Sequence, residues 1–400
     1  MHILLIHQAF ASLDEPGGTR HHELARALVR RGHRVTVIAS PVSYLTGALR
    51  VTQDEIEPGI RIRRAATYQA LHRSFVHRVF AFASFMVSSF FVGLGVKNVD
   101  LVWGTSPPIF QGWTAWMLAR LKRVPFLFEV RDLWPTFAIA VGVLRNPLLV
   151  RLSLWLERFL YRHADRVMVN SPGYVEHVTQ RGARRTELVP NGADPAMFDP
   201  ADDGQTFRAE HGLEGKFVAL YAGAHGLSND LGVVLDAAGL LARTDPLIQI
   251  VFLGDGKEKP ALQARAAELG LANVTFLPPV PKSGMAAALA GADACIAILK
   301  PLDEYKTTYP NKVFDYLAAG RPVALAIDGV IREAVEAAGG GIFARPGDPA
   351  ALAAALARLS ADRQASRRMG LSGRAYVEAH FSREASAWRL AAILEEMVSH

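Results

Sequence analysis

Asn311, Lys312 and Asp315 stand together in YKTTYPNKVFDYLAAGRP, residues 305–322. Pro310 suits the first turn of a helix, where a missing N–H costs nothing. Val313, Phe314, Leu317 and Ala318 recur at helical spacing. Asn311 and Asp315 lie four apart and share the opposite face, and Gly320 suits the end of the helix. A helix whose N–H end opens on a loop attracts phosphate, and a carboxylate one turn inside accepts from hydroxyls. The pattern fits a ligand carrying both anionic groups and hydroxyls. The competing reading is an ordinary surface helix with a Lys312–Asp315 ion pair.

Four other stretches carry residue types with chemistry. Arg131 and Asp132 follow an apolar run in FEVRDLWP. There Asp132 is placed to accept a hydroxyl proton and Arg131 to hold a phosphate or carboxylate, unless the two form an internal salt bridge. Gly17, Gly18 and Arg20 in PGGTR open a helix after the first strand, where the backbone can approach an anion. A tight turn would use the same glycines. Gly254 and Gly256 in LGDG, and Gly223, His225 and Gly226 in YAGAHG, occupy the same strand-to-helix position in the second half. No Cys/His cluster has zinc-ligand spacing, and no GxSxG elbow supplies a serine nucleophile.

Strands must position these groups, and strand-like and helix-like runs alternate throughout. The first half is expected to hold strands at 2–6, 34–39, 60–64, 101–103, 125–130, 166–169 and 187–189. The second is expected to hold strands at 217–221, 248–253, 274–276, 294–299, 322–326 and 341–343, with three closing helices after Pro349. Such alternation predicts α/β architecture with parallel, doubly wound sheets, whose ligands sit at the carboxyl ends of the strands. NGADPAMFDPADDG, rich in Gly, Pro, Asp and Asn, marks the boundary. The predicted division is an acceptor-binding domain over 1–195, a nucleotide-sugar domain over 196–380, and a closing helix over 381–400 that returns to the first domain. The two domains are expected to face a cleft.

The chain has 400 residues, half of them hydrophobic, and a net charge of +6. Residues 1–195 hold 24 Lys+Arg and 14 Asp+Glu, or +10; the remainder holds 20 and 24, or −4. A basic front half suggests an anionic partner or a solvated basic surface. The lone Cys295 excludes an internal disulfide and reads as core. MHILLIHQAF lacks the features of a secretory signal. VFAFASFMVSSFFVGLGV, residues 79–96, carries no charge and is flanked by His72, Arg73, His77, Arg78 and Lys97. It reads as an in-plane helix at a bilayer surface or as a buried core helix. Spanning a bilayer would put two strands of one sheet on opposite sides of it.

In collinear order the chain shows the Gly-Gly loop, RGHRVTVIAS, VRDLWP, LVPNGAD, YAGAHG, LGDG, YPNKVFDYLAAGRPV and GGGIFARPGD. This resembles the retaining GT-B glycosyltransferases of family 4, in the bacterial branch that makes O-antigen, capsule or exopolysaccharide, including N-acetylfucosaminyltransferase-like enzymes. The resemblance spans nearly the whole chain. It implies two Rossmann-like domains and a nucleotide-diphosphate sugar, UDP-linked by preference. Asp315 would hold the ribose hydroxyls, with Asn311 and Lys312 beside it. Gly254 and Gly256 would lie on the base side, and Gly223, His225, Gly226 and Gly18 along the donor. Gly17 and Arg20 would face the acceptor, and Arg131 and Asp132 the reacting sugar. Asn191, Gly192 and Asp194 match the interdomain motif.

Two departures stand out. Relatives carry Glu, seven residues, Glu; here Thr307 and Asp315 hold those positions, so the acid that contacts the sugar is replaced. The Arg…Lys pair that relatives use for the diphosphate is also missing, leaving phosphate charge to Lys312, Arg20, helix N-termini or another cation. The implied activity is transfer of a sugar with retention to a polyprenyl-linked glycan, without cofactor or metal. The enzyme would act peripherally on the cytoplasmic face of the inner membrane, and nucleic acid is not an expected partner. Rival readings are a sugar-nucleotide 2-epimerase and a non-catalytic member of a polysaccharide assembly complex.

Overall fold

HILLI at His2–Ile6 is buried along its whole length, as befits a central parallel strand covered on both faces. This strand, β1, pairs in parallel with β2 (Arg34–Ala39) on one side and β5 (Leu101–Ser106) on the other. The computed structural model describes residues 1–15, 17–43, 47, 49, 55–69 and 75–399. Pro16, His72 and Arg73, singled out in the sequence, lie outside the described residues.

The chain forms two compact units. The first comprises Met1–Leu13, Gly17–Pro190 and Glu384–His400. Its remaining strands are β3 (Glu55–Glu57), β4 (Ile60–Arg64), β6 (Phe126–Val130), β7 (Arg166–Val169) and β8 (Thr186–Leu188). The sheet order is β3-β4-β2-β1-β5-β6-β7-β8. Seven strands run parallel; β3, which sequence patterning does not foresee, is antiparallel to β4. The helices are α1 (Arg20–Arg30), α2 (Phe75–Leu94), α3 (Phe110–Lys122), α4 (Thr136–Ala140), α5 (Pro147–His163) and α6 (Val175–Gln180).

The second unit is built on Asn191–Arg383. Its six strands are β9 (Phe217–Ala222), β10 (Ile248–Leu253), β11 (Val274–Leu277), β12 (Ala294–Ile298), β13 (Val323–Ala326) and β14 (Gly341–Phe343). All are parallel, in the order β11-β10-β9-β12-β13-β14. The helices are α7 (Gln205–Glu210), α8 (Leu231–Thr244), α9 (Lys259–Glu268), α10 (Met285–Ala290), α11 (Asn311–Ala318), α12 (Val330–Ala337), α13 (Pro349–Ala361) and α14 (Arg363–His380). Strand order reverses between β9 and β12, and loops leaving the carboxyl ends of those strands bound a ligand crevice in sheets of this kind. Cys295 is buried in β12, and burial pushes its thiol well up, as a core residue requires.

The last helix, α15 (Arg383–Ser399), packs within the first unit. Leu390, Ala391 and Leu394 share a core with Ile3, Leu24 and Trp103, and Glu396 pairs with Arg166 and Arg185. Helix α2 contradicts one of the two expectations for residues 79–96: only 22% of the His77–Leu94 window is buried, so it is not a core helix. Its neighbours β4 and β5 belong to one sheet, which excludes a spanning arrangement of the intact unit.

A buried carboxylate organises the first unit. Glu129, fully buried in β6, accepts from Arg20 Nε at 3.1 Å and from His21 Nε2 at 2.5 Å. Arg20 also donates to the carbonyls of Val189 and Pro190 at 2.7 and 2.9 Å. Burial alone would raise the Glu129 carboxyl, but His21 and Arg20 outweigh it and hold it near 2. The start of α1 and the exit of β8 are thereby fastened to one central strand. Replacing Glu129 by Leu takes the carboxylate away from a buried guanidinium and should cost about 3–5 kcal/mol. All six tryptophans, residues 103, 113, 116, 134, 155 and 388, belong to this unit, so denaturant unfolding followed by tryptophan fluorescence checks that loss.

Candidate functional site

In the second unit the helix foreseen around Asp315 is α11. Pro310 precedes it as the N-cap, with ψ 122°, rather than lying in its first turn. Its side chain removes the N–H that an extended N-cap would leave unused. Val313, Phe314, Leu317 and Ala318 face the core. The Lys312–Asp315 pair of the competing reading is not formed among the described residues. Asp315 Oδ1 instead pairs with Lys282 Nζ at 2.7 Å, from the turn after β11. Asp315 Oδ2 accepts from Asn311 Nδ2 at 3.3 Å. Asn311 Oδ1 in turn accepts from Arg383 at 2.8 Å, whose guanidinium also donates to Gly192 O. Asn191 Nδ2 donates to the carbonyl of Tyr309 at 2.7 Å. The Asn191–Gly192 motif therefore serves the entry of α11. Asp194 accepts from the Ala196 amide and caps a short 3-10 turn.

Lys312 points the other way. Its Nζ donates to Tyr221 Oη at 2.8 Å and lies 4.0 Å from the centre of the Tyr221 ring. No carboxylate pairs with it among the described residues, and burial lowers the amine to about 7. The space exists because Gly223 has no side chain: a Cβ there, at φ +144°, would lie 2.8 Å from Lys312 Nζ. Gly254 meets the same loop, since a Cβ on it would come within 2.0 Å of Gly223 O. Gly256 packs on the backbone of His225, and the His225 amide donates to Asp255 O at 2.8 Å. The His225 ring is fully buried between Tyr221, Phe252 and Phe276. Burial, then Lys259 and Lys312, lower it to about 4, so it is neutral and no general acid at ordinary pH. Gly226 caps the 3-10 turn that follows. Gly223, His225, Gly254, Gly256 and Lys312 thus form one patch at the carboxyl ends of β9 and β10. Thr307 lies apart on a 3-10 turn, its hydroxyl donating to Glu304 O at 2.6 Å.

In the first unit, Arg131 and Asp132 follow the end of β6 at Val130. Arg131 is braced on the β5 exit, with Nε donating to Thr105 Oγ1 at 2.8 Å and Nη2 to Pro107 O at 3.0 Å. Burial lifts the Asp132 carboxyl to about 7 against the pull of Arg131. Gly17 and Gly18 are exposed. Arg20 is a correction to the sequence-based expectation: its guanidinium is buried against Glu129 and two carbonyls, and so is engaged in holding the unit together rather than facing an acceptor.

Three residues that hold these arrangements escaped the sequence pattern. Lys282 and Arg383 reach Asp315 and Asn311 from distant positions, and neither lies in a motif. Glu129 lies two residues before Arg131, but a charge inside a buried strand is explained only by partners more than a hundred residues away. Among the described residues no group of three His, Cys, Asp or Glu side chains is arranged to hold a metal ion.

Residues 17–192 match a model described as a glycosyl transferase 4-like domain, and residues 216–362 a model described as glycosyl transferases group 1. A putative colanic acid biosynthesis glycosyl transferase of Escherichia coli is 25% identical over 74% of this chain and 76% of its own. Among solved structures, sucrose-phosphate synthase from Thermosynechococcus elongatus superposes with a TM-score of 0.81 at 20% identity, covering 100% of this chain and 99% of that one. Anabaena HepE in complex with UDP-glucose gives 0.75 at 19% identity, covering 99% and 100%.

A buried amine whose folded-state pKa lies below its unfolded value stabilises the fold least at low pH. Below about pH 7 the fold carries the full cost of the charge, and stability rises from there towards pH 10.5. Lys312→Met should therefore raise the calorimetric midpoint at pH 7 by several degrees and flatten this part of the pH dependence.

Proposed function

Since the chain is a GT-B glycosyltransferase, made of a glycosyl transferase 4-like domain and a glycosyl transferases group 1 domain, we propose that it transfers a sugar, with retention, from a UDP-sugar to a lipid-linked glycan in surface polysaccharide synthesis. The observation that carries this is Asp315, held between Lys282 and Asn311 at the head of α11 with Lys312 one position along the helix from Asn311. A carboxylate so held suits ribose hydroxyls. An ammonium with no carboxylate of its own suits a diphosphate, and here it takes the place of the missing Arg…Lys pair. The UDP-glucose complex of HepE supports a uridine donor, and the colanic acid relative supports a polysaccharide product. The collinear motifs support an N-acetylated amino or deoxyamino sugar.

In a front-face displacement, the bond from the anomeric carbon to the diphosphate breaks as the acceptor oxygen bonds on the same face. The leaving phosphate receives the acceptor proton. Lys312 and the N–H end of α11 stabilise the charge that builds on it. Asp132 orients the acceptor or the transferred sugar, with Arg131 steadying the turn that carries it. Phe80, Val87 and Phe91 on α2 are exposed, which supports α2 lying in the plane of a bilayer and a peripheral location on the inner face of the cytoplasmic membrane.

A screen of UDP-, GDP- and dTDP-sugars for thermal stabilisation should single out UDP-sugars. Asp315→Ala should weaken donor binding by at least about tenfold while the second unit still melts cooperatively; an unchanged dissociation constant refutes the ribose assignment. Incubation with the UDP-sugar and no acceptor should yield no epimer, whereas an epimer would favour the 2-epimerase. Asp132 acts as a carboxylate, so transfer should rise with pH through about 7, and Asp132→Asn should lower kcat and remove that limb from the pH profile.

A further inference from the structure

We propose that α5 is a second membrane-contacting helix of the first unit, and that its arginines make the contact selective for anionic lipid. This rests on α2 meeting a bilayer and names the lipid chemistry and the side chains that read it.

PLLVRLSLWLERFLYRH places Leu148, Leu152, Trp155 and Phe159 at i, i+4, i+7 and i+11, along one stripe of the helix. A stripe meant for the core would be covered. Here Leu148 is 65% exposed, Leu152 52% and Trp155 55%. Arg151, Arg158 and Arg162 run beside it at helical spacing, all exposed. With Trp155 and Phe159 they line an open recess of about 490 Å³. The one acid of α5, Glu157, faces inward, bound by His177 at 2.8 Å and Arg181 at 3.1 Å. The outward face of α5 is therefore apolar and cationic, with no exposed carboxylate.

That combination identifies the occupant. Apolar side chains, a tryptophan and unopposed arginines suit the boundary of an anionic bilayer, where acyl chains take the first, the headgroup level the second and lipid phosphate the third. A second copy of the chain fits poorly, because a two-fold contact would set these arginines against their own images. Helix α3 links the two helices: α2 packs on α3 and α3 on α5. Trp113 of α3 lies between them, its ring 6.2 Å from Trp155 and 5.1 Å from Phe159.

The test is vesicle sedimentation of the full chain with phosphatidylcholine alone and with added phosphatidylglycerol. The unsubstituted protein should prefer the anionic vesicles and be released by salt. The triple variant Arg151→Gln, Arg158→Gln, Arg162→Gln should lose about a hundredfold in affinity for them, with tryptophan emission in buffer unchanged. Phe91→Glu, on α2, should weaken binding to both vesicle types. If the triple variant binds anionic vesicles as the unsubstituted protein does while Phe91→Glu does not, the α5 proposal is overturned and the α2 contact stands. If the unsubstituted protein binds neither vesicle, the membrane reading and the proposal fail together. If the chain is a dimer in solution that Leu152→Glu dissociates, the face is an interface between copies and the proposal is overturned.

Discussion

A charge taken out of water must be answered by a partner or shift towards its neutral form, and both units contain such charges, one inside β6 and two on α11. In the first unit Glu129 is answered twice, by Arg20 and His21, and stays ionised. In the second, Asp315 is answered by Lys282 and Asn311. Among the described residues Lys312 is answered by a phenol and a ring face, and its amine falls towards neutrality. The first two arrangements hold structure together. The third costs stability at neutral pH, because burial disfavours the charged amine.

This division explains why Gly223, Gly254 and Gly256 are where they are. The patch beside Lys312 is made of backbone approaching backbone, with Gly254 set against Gly223 O and Gly256 against the His225 backbone. A side chain at any of the three would push the β9 and β10 loops apart or fill the space of the Lys312 ammonium. The neutral His225 ring forms part of the apolar wall that keeps the amine desolvated, together with Tyr221 and Phe252. Close packing and a desolvated amine thus depend on the same residues.

The first unit shows a similar economy on its surface. Its core is closed on one side by the returning helix α15, whose leucines join those of β1 and α1. Helices α2 and α5 instead leave apolar side chains uncovered. These residues lie in the half of the chain that carries the basic balance, residues 1–195.

Strand and helix alternation was legible in the sequence because each buried parallel strand must be an apolar run and each crossover helix must carry an apolar stripe. All thirteen parallel strands follow from that requirement. The antiparallel β3, only three residues long, does not. Asp315, Lys312, Gly223 and Gly254 were equally legible, because a helix entry and a glycine at a strand end are local patterns. What each side chain does was not. Periodicity puts Lys312 and Asp315 on one short helix and suggests that they pair; the tertiary structure gives Asp315 to Lys282 and Lys312 to Tyr221. Sequence spacing reports neighbours along one element. The partner of a buried charge is chosen by which elements the sheet brings to its edge, and Lys282, Arg383, Arg20 and Glu129 reach theirs across 33, 72, 109 and 109 residues.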